Sequence, residues 1–156
     1  MALRKIVLEG DEILRKKTKD VKEINGRICE LLDDMWETLE EHNGVGLAAP
    51  QVGVLRRIAV VNTGEDGVKV ELINPRITES SGTAEEEEGC LSIPGFVGTV
   101  NRPERVRVEA LNRQGETVAM EGEGLLAKAL CHELDHLDGI LFIDKATDVR
   151  SLEDDA

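Results

Sequence analysis

Residues 132–136 read His-Glu-Leu-Asp-His, and two imidazoles four positions apart can act together only if the chain around them is helical. Successive residues of an α-helix turn by about 100°, so both rings can reach one ion from one face. Glu133, one step round from His132, is close enough to handle the proton of an activated water but poorly placed as a third ligand. The pattern asks for a helix and points to a metal hydrolase. Neighbouring residues agree: Leu125, Ala129 and Leu130 are apolar on a run from about Leu125 to Leu137, with Gly122 and Gly124 ahead of it and Gly139 behind. An exposed polar face on a terminal helix would carry the same letters, so the rest of the chain has to decide.

A second helix is expected from about Gly26 to His42. Ile28, Leu31, Leu32, Met35 and Leu39 recur at helical spacing, acids fill the other face, and Asn25 and Asn43-Gly44 supply end signals. Cys29 and Trp36 flank the apolar stripe as packing residues. Ahead of this helix, Ile13, Leu14, Val21 and Ile24 belong to an irregular arm packed on the body. From Leu55 to Leu111 the pattern turns to strands: Ile58–Val61, Val68–Ile73 stopped by Asn74-Pro75, Arg76–Thr78 and Val106–Leu111. The turn Asn112–Gly115 leads into Thr117–Met120. Strands that follow one another without intervening helices pair antiparallel. The fold class is therefore α+β, with antiparallel sheets around the C-terminal helix that carries the two histidines and one N-terminal amphipathic helix. Leu141-Phe142-Ile143 reads as a last strand and residues 148–156 as a frayed acidic tail of a single domain, 1–156.

The 156 residues are 40% hydrophobic but only 2% aromatic, so the core must come from Leu, Ile, Val and Ala, and a base-stacking platform is not expected. A formal charge of −13 repels phosphate backbones and anionic membranes. The basic runs Arg15-Lys16-Lys17 and Arg56-Arg57 are too short to offset it. No apolar run approaches the length that spans a bilayer and no leader is evident, so a soluble, cytoplasmic protein is expected, without nucleic-acid or membrane binding. Three cysteines form no close pair; each needs its own explanation.

A catalytic metal site of this type wants three protein ligands and an open position. Asp138 is too near along the helix, and Asp144 and Glu153 lack supporting context. Cys131 points about 100° away from His132 and reads as a small buried hydrophobe, while Cys29 belongs to the other helix. Cys90 remains, in a glycine-flanked loop after Glu85-Glu86-Glu87-Glu88.

Three segments together, Gly44-Val45-Gly46-Leu47-Ala48-Ala49-Pro50-Gln51, Glu88-Gly89-Cys90-Leu91-Ser92 and His132-Glu133-Leu134-Asp135-His136, resemble in order and spacing the signature motifs of the peptide deformylases, which remove the formyl group from the N-terminal methionine of new bacterial proteins. The resemblance runs from Asp11–Arg15 to about Asp144. It implies Cys90, His132 and His136 as metal ligands, Glu133 as general base, and the Gln51 side-chain amide and Leu91 N–H as oxyanion donors. It also implies that Gly46 lies against the substrate. One divalent ion is implied, Fe²⁺ physiologically, with Zn²⁺, Ni²⁺ or Co²⁺ able to replace it. The implied partners are formylmethionyl nascent peptides, met near the ribosome. The peptide is expected to lie extended along Val45-Gly46, its methionine side chain against Val45, Leu125 and Ala129, with Gly89 and Gly46 as tight walls. Lys128 is expected on another, solvated face, and Arg102 and Asp135 as a pair that orients ligands. One departure is Gly10, where a proline is frequent in the family. Two other classes stay open on the residues alone: a metallopeptidase, which lacks a downstream ligand, and a closed metal-binding module, which would need Cys131 or His42 as fourth ligand. A copper electron-transfer site would want an axial Met and has no use for Glu133.

Overall fold

The computed structural model describes residues 2–64 and 68–152. An N-terminal arm with one 3₁₀ turn, Glu12–Arg15, leads to helix α1, Gly26–Glu41, whose first turn is capped by the Asn25 side chain accepting from the Ile28 N–H at 3.2 Å. The strands follow: β1 Gly46–Ala48, β2 Ile58–Asn62, β3 Lys69–Ser81, β4 Ala84–Cys90, β5 Ile93–Arg102, β6 Arg105–Leu111 and β7 Thr117–Glu123. Helix α2, Leu125–Leu137, the short α3, Phe142–Lys145, and β8, Thr147–Ser151, complete the described chain. A five-stranded sheet has the order β1-β2-β3-β6-β7 and a three-stranded sheet the order β4-β5-β8. Every pairing between these strands is antiparallel.

The five-stranded sheet is buried on both faces at β2, which explains why Ile58-Ala59-Val60-Val61 is apolar without alternation. Ala59 and Val61 face α2, packing with Leu72, Val108 and the helix residues Ala127, Leu130 and Leu134. Ile58 and Val60 face α1, packing with Leu32, Met35, Leu39 and Leu47. A third cluster, with Leu14, Ile93, Val100, Leu141 and Phe142, joins the three-stranded sheet to α3. The small side chains of Ala48, Ala59, Ala127 and Ala129 let α2 lie close to β1 and β2, so the helix runs through the interior. No helix among the described residues is long and apolar enough to cross a membrane.

Four sequence expectations need correction. Asn74-Pro75 does not stop a strand: β3 runs through it with a register shift between Ile73 and Arg76. The bulge is held because the Asn74 side chain accepts from the Val21 N–H at 2.8 Å and donates to the Val21 carbonyl at 2.9 Å. Cys90 is not in an open loop but ends β4, across a tight turn from Ile93 on β5. Leu141–Ile143 does not form a strand: the Asp144 carboxylate accepts from the Leu141 N–H at 3.0 Å and closes a helical turn instead. Residues 147–151, assigned largely to a frayed tail, are β8, with Phe96 facing Ser151 and Val97 facing Arg150. The open edge of β5 supplies the partner that local sequence could not reveal. The rest of the expected tail, 153–156, lies outside the described residues, as does Glu153.

Candidate metal centre

Helix α2 would be unusual as a surface element, because its polar residues are inside. His132, Glu133 and His136 are 8%, 3% and 1% exposed. Burying three such groups is costly unless they are paired or hold an ion. This removes the exposed-face reading of the motif. Both Nε2 atoms point to one spot: His136 Nε2 lies 3.2 Å from His132 Nε2 and 3.3 Å from Cys90 Sγ, which arrives from the end of β4. The three donor atoms lie within 4.8 Å of one another.

Metal–nitrogen bonds of about 2.0–2.1 Å and a metal–sulfur bond of about 2.3 Å at tetrahedral angles put nitrogens roughly 3.3 Å apart and a nitrogen roughly 3.6 Å from the sulfur. The observed separations fit a divalent ion. The charges agree with this. Burial pushes the His132 ring down, but the Cys90 sulfur and then the Glu133 and Glu88 carboxylates outweigh it and draw positive charge to this point. Burial, then the positive charges of His132 and Arg102, hold His136 well below the usual histidine range, so its ring is neutral as a ligand must be. Neither His42, exposed at the end of α1, nor the buried Cys131 joins the cluster. Met120 packs against the α2 core rather than above the triad.

Further side chains orient the candidate ligands. His132 Nδ1 donates to Glu88 Oε1 at 2.9 Å, which leaves Nε2 free to coordinate. Glu88 is held in turn by the Arg102 guanidinium at 2.8 and 3.0 Å, and Arg102 reaches Asp135 at 2.6 Å. Burial pushes the Glu88 carboxyl up, but the hydrogen bonds from His132 and Arg102 overcome it and bring it down to about 2. Of the four consecutive acids, Glu85 to Glu87 are exposed and only Glu88 is buried. Sequence reasoning paired Arg102 with Asp135 but did not see that Glu88 joins both to His132. The available signal was a carboxylate two residues before a candidate ligand cysteine, where a candidate ligand histidine needs an acceptor.

Gln51 stands on the other side of Cys90. Its Oε1 accepts from the Ala48 N–H at 2.9 Å, which turns Nε2 toward Ser92 Oγ at 3.0 Å and Cys90 Sγ at 3.6 Å. Ser92, fully buried, is a partner of Gln51 that the sequence reading missed. Glu133 Oε1 is buried without a hydrogen-bond partner. Burial and then the negative charge of Glu88 raise its carboxyl to about 7, against the pull of His132 and Arg102. Gly46 packs against this carboxylate: a Cβ there would sit 2.5 Å from Glu133 Oε2.

These groups open into a cavity of about 380 Å³ lined also by Val45, Gly89, Leu91, Leu125 and Ala129. At Gly89 a Cβ would meet only ordinary contacts, the nearest 3.5 Å away, so the tight-wall argument applies to Gly46 and not to Gly89. Lys128 is not on a separate solvated face: it lines the cavity and its Nζ donates to the Glu87 carbonyl at 3.1 Å.

The polypeptide deformylase family matches residues 3–151. A peptide deformylase of Acetivibrio thermocellus is 60% identical over 155 residues, covering 99% of this chain and 89% of its own. The crystal structure of a peptide deformylase from Legionella pneumophila superposes with a TM-score of 0.90 at 45% identity, covering 94% of this chain and 87% of that one. That of the Thermotoga maritima enzyme gives 0.89 at 40% identity, covering 93% and 98%.

Proposed function

Because the chain belongs to the polypeptide deformylase family, we propose that Cys90, His132 and His136 hold the divalent ion with which it removes the formyl group from the N-terminal methionine of new polypeptides. The observation that carries this assignment is the convergence of one sulfur and two Nε2 atoms within 4.8 Å, with both histidines buried and Cys90 half-buried. A bound divalent ion supplies Lewis-acid activation of water and of the formyl carbonyl.

The chain's own residues do the rest. Glu133, raised to about 7 and with Oε1 unpaired, takes a proton from the attacking water and passes it to the departing amine nitrogen, so formate and a free N-terminus leave together. Gln51 Nε2, aimed by Ala48 and Ser92, and the Leu91 N–H are the donors for the developing oxyanion; one such donor lowers the barrier by about 3–4 kcal/mol. Glu88, Arg102 and Asp135 keep His132 in the tautomer that coordinates. The peptide lies extended along Val45-Gly46 at the free edge of β1, its methionine side chain against Leu125 and Ala129.

The donor set suits Fe²⁺, Zn²⁺, Ni²⁺ or Co²⁺. Fe²⁺ is the assignment that follows the family resemblance, and it predicts an activity lost in air. The partners are formylmethionyl nascent peptides, met near the ribosome in the cytoplasm; a net charge of −13 argues against direct RNA binding. The test is formate release from formyl-Met-Ala-Ser by anaerobically purified protein, with metal content measured on the same sample. Glu133→Ala should keep the metal and lose at least about a hundredfold in turnover. A fully active Glu133→Ala variant would remove Glu133 from the role of base.

A further inference from the structure

The two oxyanion donors named above stand on different sheets. Gln51 lies on the 3₁₀ turn Ala49–Val52, which directly follows β1 of the five-stranded sheet. Leu91 lies in the turn from β4 to β5 of the three-stranded sheet. Among the described residues no strand of one sheet pairs with a strand of the other. The Gln51 Nε2–Ser92 Oγ bond crosses the gap at 3.0 Å, but one bond between side chains is a loose tie between two sheets.

The N-terminal arm crosses the same gap with its backbone. The Val7 N–H donates to the Gln51 carbonyl at 2.7 Å, and the Glu9 N–H donates to the Ser92 carbonyl at 2.8 Å. Groups two residues apart face the same side of an extended chain at a fixed spacing of about 7 Å, so the arm holds both segments at once. Its side chains divide in the same way: Ile6 packs in the α1 cluster, and Val7 in the cluster of the three-stranded sheet. Upstream the arm is anchored on α1, where the Arg4 N–H donates to Thr38 Oγ1 at 2.9 Å and the guanidinium pairs with Asp34 at 2.8 Å. Downstream it ends in a turn, Leu8–Asp11, closed by the Asp11 N–H on the Leu8 carbonyl at 3.2 Å. Gly10, with φ 104°, takes the third position of this turn, as the type II form requires.

We propose that Val7 and Glu9 are positioning residues of the reaction: through their N–H groups they set the separation of the Gln51 amide and the Leu91 N–H, and so the fit of both donors to the oxyanion. This deepens the functional reading above and rests on Gln51 and Leu91 being those donors.

The experiment follows formate release from formyl-Met-Ala-Ser, metal content and melting temperature in Glu9→Pro and Glu9→Ala, with Glu9→Pro repeated in a Gln51→Ala background. Glu9 is the second residue of the turn, where the fixed φ of a proline is favoured, so the turn itself is preserved. The ring takes the place of the N–H hydrogen and forces the arm and the Ser92 carbonyl apart. In Glu9→Pro kcat should fall at least about tenfold with KM and metal content unchanged, because the donors act only on the transition state. Glu9→Ala keeps the N–H at an exposed position and should stay within about threefold of wild type. In the Gln51→Ala background the same Glu9→Pro change should cost no more than about threefold, since the donor it positions is already gone. Leu8→Gly loosens the arm between its two bonds, at a side chain that is 53% exposed, and covers the case in which Glu9→Pro does not fold. It should lower kcat about threefold relative to Leu8→Ala. Unchanged kcat in folded Glu9→Pro, a rise in KM alone, loss of the metal, or an equal loss in both backgrounds would overturn the proposal. With Glu9→Pro unfolded, equal kcat in Leu8→Gly and Leu8→Ala would overturn it. A fully active Gln51→Ala variant, or a wild type that releases no formate, would instead overturn the functional reading beneath it.

Discussion

Replacing Gly46 by alanine tests whether the backbone of β1 sets the position of Glu133, the proposed general base. The new methyl would lie 2.5 Å from Glu133 Oε2, 2.8 Å from Cδ and 2.9 Å from Cγ. Ordinary contact needs about 3.5 Å, so the carboxylate must withdraw by about 1 Å. Gly46 is in an extended strand paired with Val61, a conformation open to alanine, so the conflict is with the side chain and not the backbone. Misplacing a catalytic group by about 1 Å costs on the order of a hundredfold in rate. The expected result is a hundredfold lower kcat for formate release from formyl-Met-Ala-Ser, with metal content unchanged because Glu133 is outside the ligand cluster. Stability should fall by about 1–3 kcal/mol from overpacking. Combining Gly46→Ala with Glu133→Asp should be non-additive, because an aspartate has already withdrawn from the new methyl. Activity within about threefold of wild type would refute the steric reasoning, and loss of the metal would move the effect to the ligands.

Glu88→Gln removes the charge that receives the His132 Nδ1–H and binds Arg102. Metal affinity should fall about 10- to 100-fold in a chelator competition, and unaltered affinity would count against the orienting role. Gln51→Ala should lower kcat by roughly 10²- to 10³-fold, and the unpaired Ala48 N–H should also lower the melting temperature; a melting effect alone would make Gln51 structural. Asp34 provides a test at low pH. Burial pushes its carboxyl up, but the Ala2 N–H at 2.7 Å and the Arg4 guanidinium at 2.8 Å outweigh this and hold it below the usual range. Its folded value is thus below its unfolded one, so its stabilisation is present above about pH 4 and is lost as pH falls through the folded value. Amide exchange at Arg4, whose N–H donates to Thr38 Oγ1, should accelerate in that acid window in wild type and be fast already at neutral pH in Asp34→Asn.

Local periodicity made both long helices readable, because a helix is specified by residues three and four apart: Asn25 caps α1 and Leu125–Leu137 is α2. The spacing of His132 and His136 carried the metal hypothesis for the same reason, and elimination among three cysteines left Cys90. Elements that depend on distant partners were not readable. Asn74-Pro75 looks like a strand end until Val21 and Arg57 bind Asn74. Leu141–Ile143 has strand composition, yet the Asp144 carboxylate, tied to Arg15, turns it into a helix. Residues 147–151 hold one acid, one base and a single apolar side chain, and only the open edge of β5 makes them β8.

The same division holds at the centre. The chain order alone determined a helix that presents two imidazoles and a carboxylate, and a cysteine available to join them. Tertiary structure decided that this helix lies inside the molecule, which lifts Glu133 to about 7 and makes Glu88 a buried partner of His132 rather than one more surface acid. It also decided that Gly46 borders Glu133, since that contact joins residues 87 positions apart. Burial and long-range contact set these properties, and neither is encoded in the spacing of neighbouring residues.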